Sequence, residues 1–326
     1  MHNKFDIFDI SAPEAFDARA LEVFEFQYTN NKVYRQFCDL LSRTPEEVKH
    51  VKDIPFLPIE FFKTHKILSW GPSSEKIFTS SGTTGQNTSK HYVTDLQVYV
   101  ESFRRGFEHF YGSVEDYAVL ALLPSYLERE GSSLIYMVDD LIKKSENPHS
   151  GFYLHDLDAL KEKIELLEHQ EQKILLIGVS FALLDLVEKF RFNLKHTVIM
   201  ETGGMKGRRK EMIRKELHQV LKAGFGVEKI HSEYGMTELL SQAYSTGDGI
   251  FECPPWMKII IRDPEDALSL LPEGKSGGIN VIDLANINSC SFIATQDLGK
   301  DLGAGKIEIL GRFDNSDIRG CNLMVF

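Results

Sequence analysis

The chain has 326 residues, 42% hydrophobic and 26% charged, with a formal net charge of −11. Its length and balance exclude a peptide, a coiled coil and a disordered tail, and leave room for one large domain or two modest ones. The acidic excess argues against broad, sequence-independent binding to nucleic acid or an anionic membrane, but not against a nucleotide.

The start, MHNKFDIFDISAPEAF, has acids where a secretory signal carries a basic start and an apolar run. A helical region is expected from Ala15 to about Leu41, and SRTPEEV then reads as a cap with Glu46 and Glu47 in a first helical turn. Pro55 and Pro58 make DIPFLPIEFF an extended segment leading to the strand candidate KIF. A repeated theme follows: YAVLALL (117–123), KILLIGV (173–179) and HTVIME (196–201) read as buried strands. Between and after them come helices with a stripe at Leu157, Leu160, Ile164 and Leu167, with FALLDLVEKF, and with RRKEMIRKELHQVLKAG ending at Gly224. Apolar strands alternating with helices predict an α/β fold with a largely parallel sheet covered on both faces. Beyond about residue 245, the strand candidate MKIIIR, a long loop, INVIDLA and the glycine-punctuated 299–320 predict a more antiparallel lobe. The expected organisation is a helical cap over 1–54, an α/β core over 55–245 and a mixed β-rich lobe over 246–326. ILLIGVSFALL (174–184) is too short to span a membrane, so stable insertion is not expected.

Three segments carry chemistry. FTSSGTTGQNTSK offers hydroxyls at Ser80, Ser81, Thr83 and Thr84, with Gly82 and Gly85 permitting a backbone that points N–H groups at phosphate; Lys90 adds charge. It is neither a Walker A loop nor a GxGxxG fingerprint, and an ordinary polar turn is the plainer alternative. In HSEYGMTELL, the strand candidate VEKI is expected to lead through a turn at Gly235 into a helix. There Tyr234 can stack on a planar base, Thr237 can meet phosphate and Glu238 can hold a hard cation. His231 and Glu233 have plainer readings as a buried or capping group and a solvated carboxylate. Near the end, Asp297 can accept two ribose hydroxyls and Arg312 can contact phosphate or ribose, or the two serve a turn and a surface ion pair.

SSGTTG, YGMTE, QDLG and GRFDNSDIRG, in this order, resemble the adenylate-forming superfamily, and ETGGMKG matches in position the segment that borders adenine. DIPFLPIEFFKTHKI, IGVSFALL and RGCNL make the chain look most like the acyl-protein synthetases of bacterial luminescence, with phenylacetate-CoA ligase a more distant relative. The resemblance implies the large amino-terminal domain of that superfamily without its usual small carboxyl-terminal domain and that domain's lysine. It also implies ATP and Mg²⁺ as cofactors and a cytoplasmic enzyme, which the four widely spaced cysteines suit. By resemblance, Ser80, Ser81, Gly82, Thr83, Thr84 and Gly85 surround the ATP phosphates, Gly203 and Gly204 lie beside the base, and Tyr234 lies against adenine. Thr237 touches the α-phosphate, Glu238 binds Mg²⁺, Asp297 holds the ribose, Arg312 reaches the nucleotide and Asp314 marks the hinge. Gly178, Val179, Ser180 and Phe181 border the acyl pocket, and Cys321 is placed to receive the acyl group. The activity so implied is activation of a fatty or aromatic carboxylic acid to an acyl-adenylate, with transfer to Cys321 or to a partner protein such as a reductase. The alternatives are an acyl or aryl CoA ligase completed by a separate domain, and an inactive nucleotide-binding scaffold.

Overall fold

The computed structural model describes residues 5–71, 73–80, 88–125, 131–203 and 212–313. In chain order its helices are α1 (Pro13–Asn30), α2 (Lys32–Leu40), α3 (Phe61–Thr64), α4 (Leu96–Tyr111), α5 (Ser133–Lys144), α6 (Leu157–His169), α7 (Ser180–Lys189) and α8 (Arg214–Phe225). The strands are β1 (Leu57–Pro58), β2 (Lys76–Thr79), β3 (Lys90–Val93), β4 (Ala118–Leu122), β5 (Gly151–Phe152), β6 (Ile174–Val179) and β7 (Thr197–Thr202), then β8 (His231–Tyr234), β9 (Ala243–Ser245), β10 (Ile250–Phe251), β11 (Met257–Arg262), β12 (Ser276–Asp283), β13 (Phe292–Asp301) and β14 (Ile307–Arg312).

The described residues within 77–84 and 96–251 form one compact unit. Its sheet has the order β5-β4-β6-β7-β8-β9, parallel up to β8, with β9 returning antiparallel. Every residue of β4 and β6 is buried, which is why AVLAL and ILLIGV are unbroken apolar runs rather than alternating ones. On α6, Leu160, Ile164 and Leu167 are buried at three- and four-residue spacing, and Asp156 caps the helix by accepting from the Ala159 N–H at 2.9 Å.

The described residues within 1–76, 85–95 and 252–326 form the second unit. Strands β11, β12, β13 and β14 make an antiparallel meander, and β1 pairs in parallel with Leu57 opposite Ile293, on the edge of β13 that β14 occupies farther along. α1 and α2 pack into this core: the rings of Phe24 and Tyr34 lie 6.2 and 6.0 Å from that of Phe292. The Gln27 side chain donates to the carbonyls of Asn286 and Ile287 at 3.1 and 2.9 Å and accepts from the Ser291 N–H at 2.9 Å. Asn31 ends α1 and caps α2, accepting from the Tyr34 N–H at 3.0 Å.

Three local expectations are corrected. SRTPEEV opens no α-helix: Glu47 and Val48 both donate to the Thr44 carbonyl in a single turn, a short 3-10 turn at Val51–Asp53 follows, and Pro55 holds Ile54 extended on the way to β1. The basic helix runs one residue past Gly224, to Phe225, and its cap is Gly226, left-handed at φ 69°; position 224 is glycine because a Cβ there would meet Val187 Cβ at 2.4 Å. The strand before YGMTE is HSEY rather than VEKI, and it leads into a turn, not a helix. β9 returns beside β8 with Ala243 opposite Tyr234, so the eight intervening residues are spent reversing the chain. No helix among the described residues is long and apolar enough to cross a membrane.

Candidate functional site

Open parallel sheets bind ligands at the carboxyl ends of their strands, and the singled-out residues of the first unit gather there. The register sets two lateral rows across the sheet. In one, Gly178 pairs with Glu201, Glu201 with Ser232 and Ser232 with Ser245; in the next, Val179 pairs with Thr202, Thr202 with Glu233 and Glu233 with Tyr244. Side chains alternate along each strand, so the rows present opposite faces.

The Glu201 row carries a buried polar cluster that sequence reading missed. Glu201 is 6% exposed; it accepts from Ser180 Oγ at 3.2 Å and Arg214 Nε at 3.4 Å, and His218 Nε2 lies 3.6 Å away. Burial alone pushes its carboxyl up, but His218, the Arg214 guanidinium and Ser232 outweigh that and hold it below the usual carboxylate range. Ser180 Oγ also donates to the Gly203 carbonyl at 2.7 Å, tying the start of α7 to the turn after β7. Arg214 and His218 stand four apart on α8, a spacing that put them on one face; nothing local marked Glu201 as their partner.

The other row faces α4. Glu233 accepts from Thr202 Oγ1, and the ring of Tyr244 lies 5.3 and 5.6 Å from those of Phe110 and Tyr111. Tyr111 Oη is 3.3 Å from His231 Nδ1, and burial, helped by the Lys229 charge, lowers the His231 pKa to about 4, so the ring is neutral at physiological pH.

Of the residues singled out for acyl contact, Val179 stands in the α4-facing row, Ser180 and Phe181 open α7, and Gly178 is packed so closely that a Cβ would lie 2.8 Å from Leu122 Cβ. Gly203 has φ 65°, a left-handed turn that suits glycine. Tyr234 is 9% exposed, its ring edge-on to Phe251 at 6.2 Å, and the Arg214 guanidinium lies 4.9 Å over the Phe251 ring. Glu238 is buried, Thr237 half-buried and Gly235 exposed in the turn between β8 and β9. Ser80 follows β2 and is half-buried. Ser81, Gly82, Thr83, Thr84, Gly85, Gly204, Asp314 and Cys321 lie outside the described residues.

In the second unit, Asp297 stands within β13 opposite Arg312 of β14, 8% exposed, with its N–H donating to Thr295 Oγ1 at 3.1 Å. Arg312 Nε lies 3.3 Å from Asp297 Oδ1, while the rest of that side chain is largely exposed. Lys90 is exposed at the start of β3, and His91 beside it is buried with Nε2 2.9 Å from Asn286 Oδ1. The Cys38 and Cys253 thiols are pushed up to about 12 by burial, and that of Cys290 is raised further, so all three are poor nucleophiles.

Among the described residues no cluster of three or more His, Cys, Asp or Glu side chains is built to hold a metal ion. A magnesium ion bound chiefly through nucleotide phosphates needs only one or two protein carboxylates, and Glu238 is a buried carboxylate in the turn after β8.

Residues 7–107 match the family model described as acyl-protein synthetase, LuxE. The chain is 25% identical over 324 residues to a long-chain-fatty-acid–luciferin-component ligase of Vibrio harveyi, covering 92% of this chain and 84% of that protein. Among solved structures it resembles an open conformation of 2-hydroxyisobutyryl-CoA ligase in complex with 2-HIB-AMP and CoA, with a TM-score of 0.66 and 13% identity over 93% of this chain and 70% of the other. ATP-bound MatB from Rhodopseudomonas palustris matches with a TM-score of 0.55 and 19% identity over 75% of this chain; the chain spans about half of MatB, 49% of its length. The chain therefore has the α/β fold of the large amino-terminal domain of adenylate-forming enzymes.

Proposed function

We propose that the protein activates a carboxylic acid with ATP, forming an acyl-adenylate and pyrophosphate, and hands the acyl group to a thiol acceptor. The observation that carries this reading is YGMTE, which ends β8 and runs into the turn at the carboxyl end of the parallel sheet with Glu238 buried, in a fold matched over 93% of the chain by a ligase solved with an acyl-adenylate. A carboxylate is a poor acyl donor because oxide is a poor leaving group; adenylation replaces it with AMP.

In this reading Tyr234 offers a face to adenine and Thr237 donates to the α-phosphate; for Asp297 and Arg312, in the other unit, the roles of accepting ribose hydroxyls and contributing charge rest on the sequence resemblance alone. Ser80 begins the phosphate loop, whose remaining members Ser81, Gly82, Thr83, Thr84 and Gly85 supply hydroxyls and backbone N–H groups. Glu238 would hold Mg²⁺, which when bound neutralises charge that builds as pyrophosphate departs.

The likeness in fold to a CoA ligase, over 93% of this chain and 70% of the ligase, supports CoA as the acceptor in this reading. Transfer to a protein cysteine, with Cys321 the candidate, is the second reading, favoured by the Vibrio harveyi relative and the family model over 7–107.

ATP–pyrophosphate exchange with a panel of acids tests the first step. Exchange dependent on an acid and Mg²⁺ is expected, and Glu238→Gln should lower it by about a hundredfold; absence of exchange with every acid refutes activation. Intact mass and AMP release then separate the acceptors: AMP release that requires CoA supports the ligase reading, and a hydroxylamine-sensitive adduct lost in Cys321→Ala supports protein acylation.

A further inference from the structure

In the acid-activation reading Tyr234 meets adenine, and a chain of side chains within the same unit holds its ring. The ring is 9% exposed and crosses that of Phe251 at 71°, with the centroids 6.2 Å apart. Phe251 is itself buried, so its ring has no room to turn away. Over that ring lies the Arg214 guanidinium, with Cζ 4.9 Å from the centroid, in a cation–π contact.

Arg214 is placed from two further sides. Its Nε lies 3.4 Å from Glu201 Oε1, and its stem runs against the turn between β9 and β10, where a Cβ on Gly249 would come within 3.1 Å of Arg214 Cδ. The other oxygen of Glu201 accepts from Ser180 Oγ, which also donates to the Gly203 carbonyl. One carboxylate thus anchors both the arm that ends at Tyr234 and the turn after β7. A cation needed only to offset Glu201 has no reason to lie flat on a ring, and His218 already stands 3.6 Å from that carboxylate. A guanidinium spread over a phenyl face and along a glycine turn is used for its planar shape as well as its charge.

We infer that Arg214 is a positioning residue for the nucleotide base: held by Glu201 and lying over Phe251, it fixes the ring of Tyr234 in the orientation that meets adenine. Little of that ring is open, so a modest tilt decides whether the open part is a stacking surface. Arg214 therefore governs affinity for the base and not for the phosphates. The inference deepens the acid-activation reading and rests on it for the role of Tyr234.

The test compares, in the full-length protein with Mg²⁺, calorimetric affinities for ATP, which carries the base, and for inorganic pyrophosphate, which does not. Arg214→Met keeps a flexible stem and removes the cation; it should weaken ATP binding about tenfold while pyrophosphate changes by about twofold or less, an effect within the reach of base–aromatic stacking. Phe251→Leu, the second and independent variant, should give the same pattern. In a Tyr234→Leu background Arg214→Met should add about twofold or less, because two residues acting along one path are not additive. Unchanged ATP affinity in Arg214→Met and Phe251→Leu overturns the inference. A loss falling equally on ATP and pyrophosphate, or an Arg214→Met effect undiminished in the Tyr234→Leu background, marks a merely structural role and overturns it too. No ATP binding by the wild-type chain, or full ATP affinity in Tyr234→Leu, refutes the adenine assignment and takes the inference with it. The expected binding pattern without acid-dependent pyrophosphate exchange refutes activation and supports the inference.

Discussion

Glu201 shows how a single side chain organises the edge of a sheet. A buried carboxylate survives only where partners replace its water, and Glu201 has Ser180 at the start of α7 and Arg214 and His218 on α8. Removing its charge should therefore loosen both helix starts and the Gly203 turn that Ser180 holds. Glu201→Gln is expected to cost about 2 kcal/mol, less than a fully buried pair because the Arg214 side chain is 30% exposed. Its folded-state pKa is depressed below 4.5, so its contribution is complete above that pH and is lost as pH falls through the lower folded value. His231 acts in a higher window: its proton affinity falls from 6.5 to about 4 on folding, so stability is lost as pH drops between those values. Urea titrations from about pH 3 to 7 should show Glu201→Gln flattening the acid limb below 4.5 while leaving the His231 limb intact. An unchanged lower limb would refute the assignment.

At the scale of elements, packing overrules propensity where two helices meet. Alanine is a better helix former than glycine by about 1 kcal/mol, yet Gly224 faces Val187 so closely that an added Cβ would lie 2.4 Å from Val187 Cβ and 2.6 Å from its Cγ1. Gly224→Ala should therefore destabilise the protein by about 1–3 kcal/mol, with α8 pushed off α7. Gly112, with nothing within 4 Å of its virtual Cβ, is the comparison position, where only its φ of 78° opposes the change. Denaturant midpoints compare the two, and a stabilised Gly224→Ala would contradict the packing argument. The same contrast explains what was legible. The helix over Leu157–His169 follows from its three- and four-residue apolar spacing, and the strands AVLAL and ILLIGV from their unbroken apolar runs, because burial imposed both. The end of α8 did not, since a glycine kept for a close approach looks in sequence like a glycine that ends a helix. The turn after Tyr234 was missed for a related reason: its course is set by β9 pairing with β8, not by its own residues.

For the molecule as a whole, long-range pairing decides the architecture and was the least legible feature. The parallel sheet assembles from neighbouring stretches of chain and could be anticipated, whereas the antiparallel unit joins segments more than 200 residues apart, as in Gln27 bonding to Ile287 and Leu57 pairing with Ile293. Single residues divide in the same way: Tyr234 in one unit and Asp297 in the other were marked by their sequence neighbourhood, while Glu201 acquires its meaning from strand register and its partners on α8. Residues 13–40, which read locally as a single helical region, form two helices that serve as core for strands laid down at the far end of the sequence. Phe24 is 1% exposed and edge-on to Tyr34 and Phe292, so truncating it leaves a cavity against β13. Phe24→Ala should cost about 3–5 kcal/mol. In hydrogen exchange the loss of protection should fall on β12 and β13, remote in sequence from the substitution, while β4 and β6 keep theirs. If protection drops only within α1 and α2, those helices are an appendage to the antiparallel unit and not part of its core.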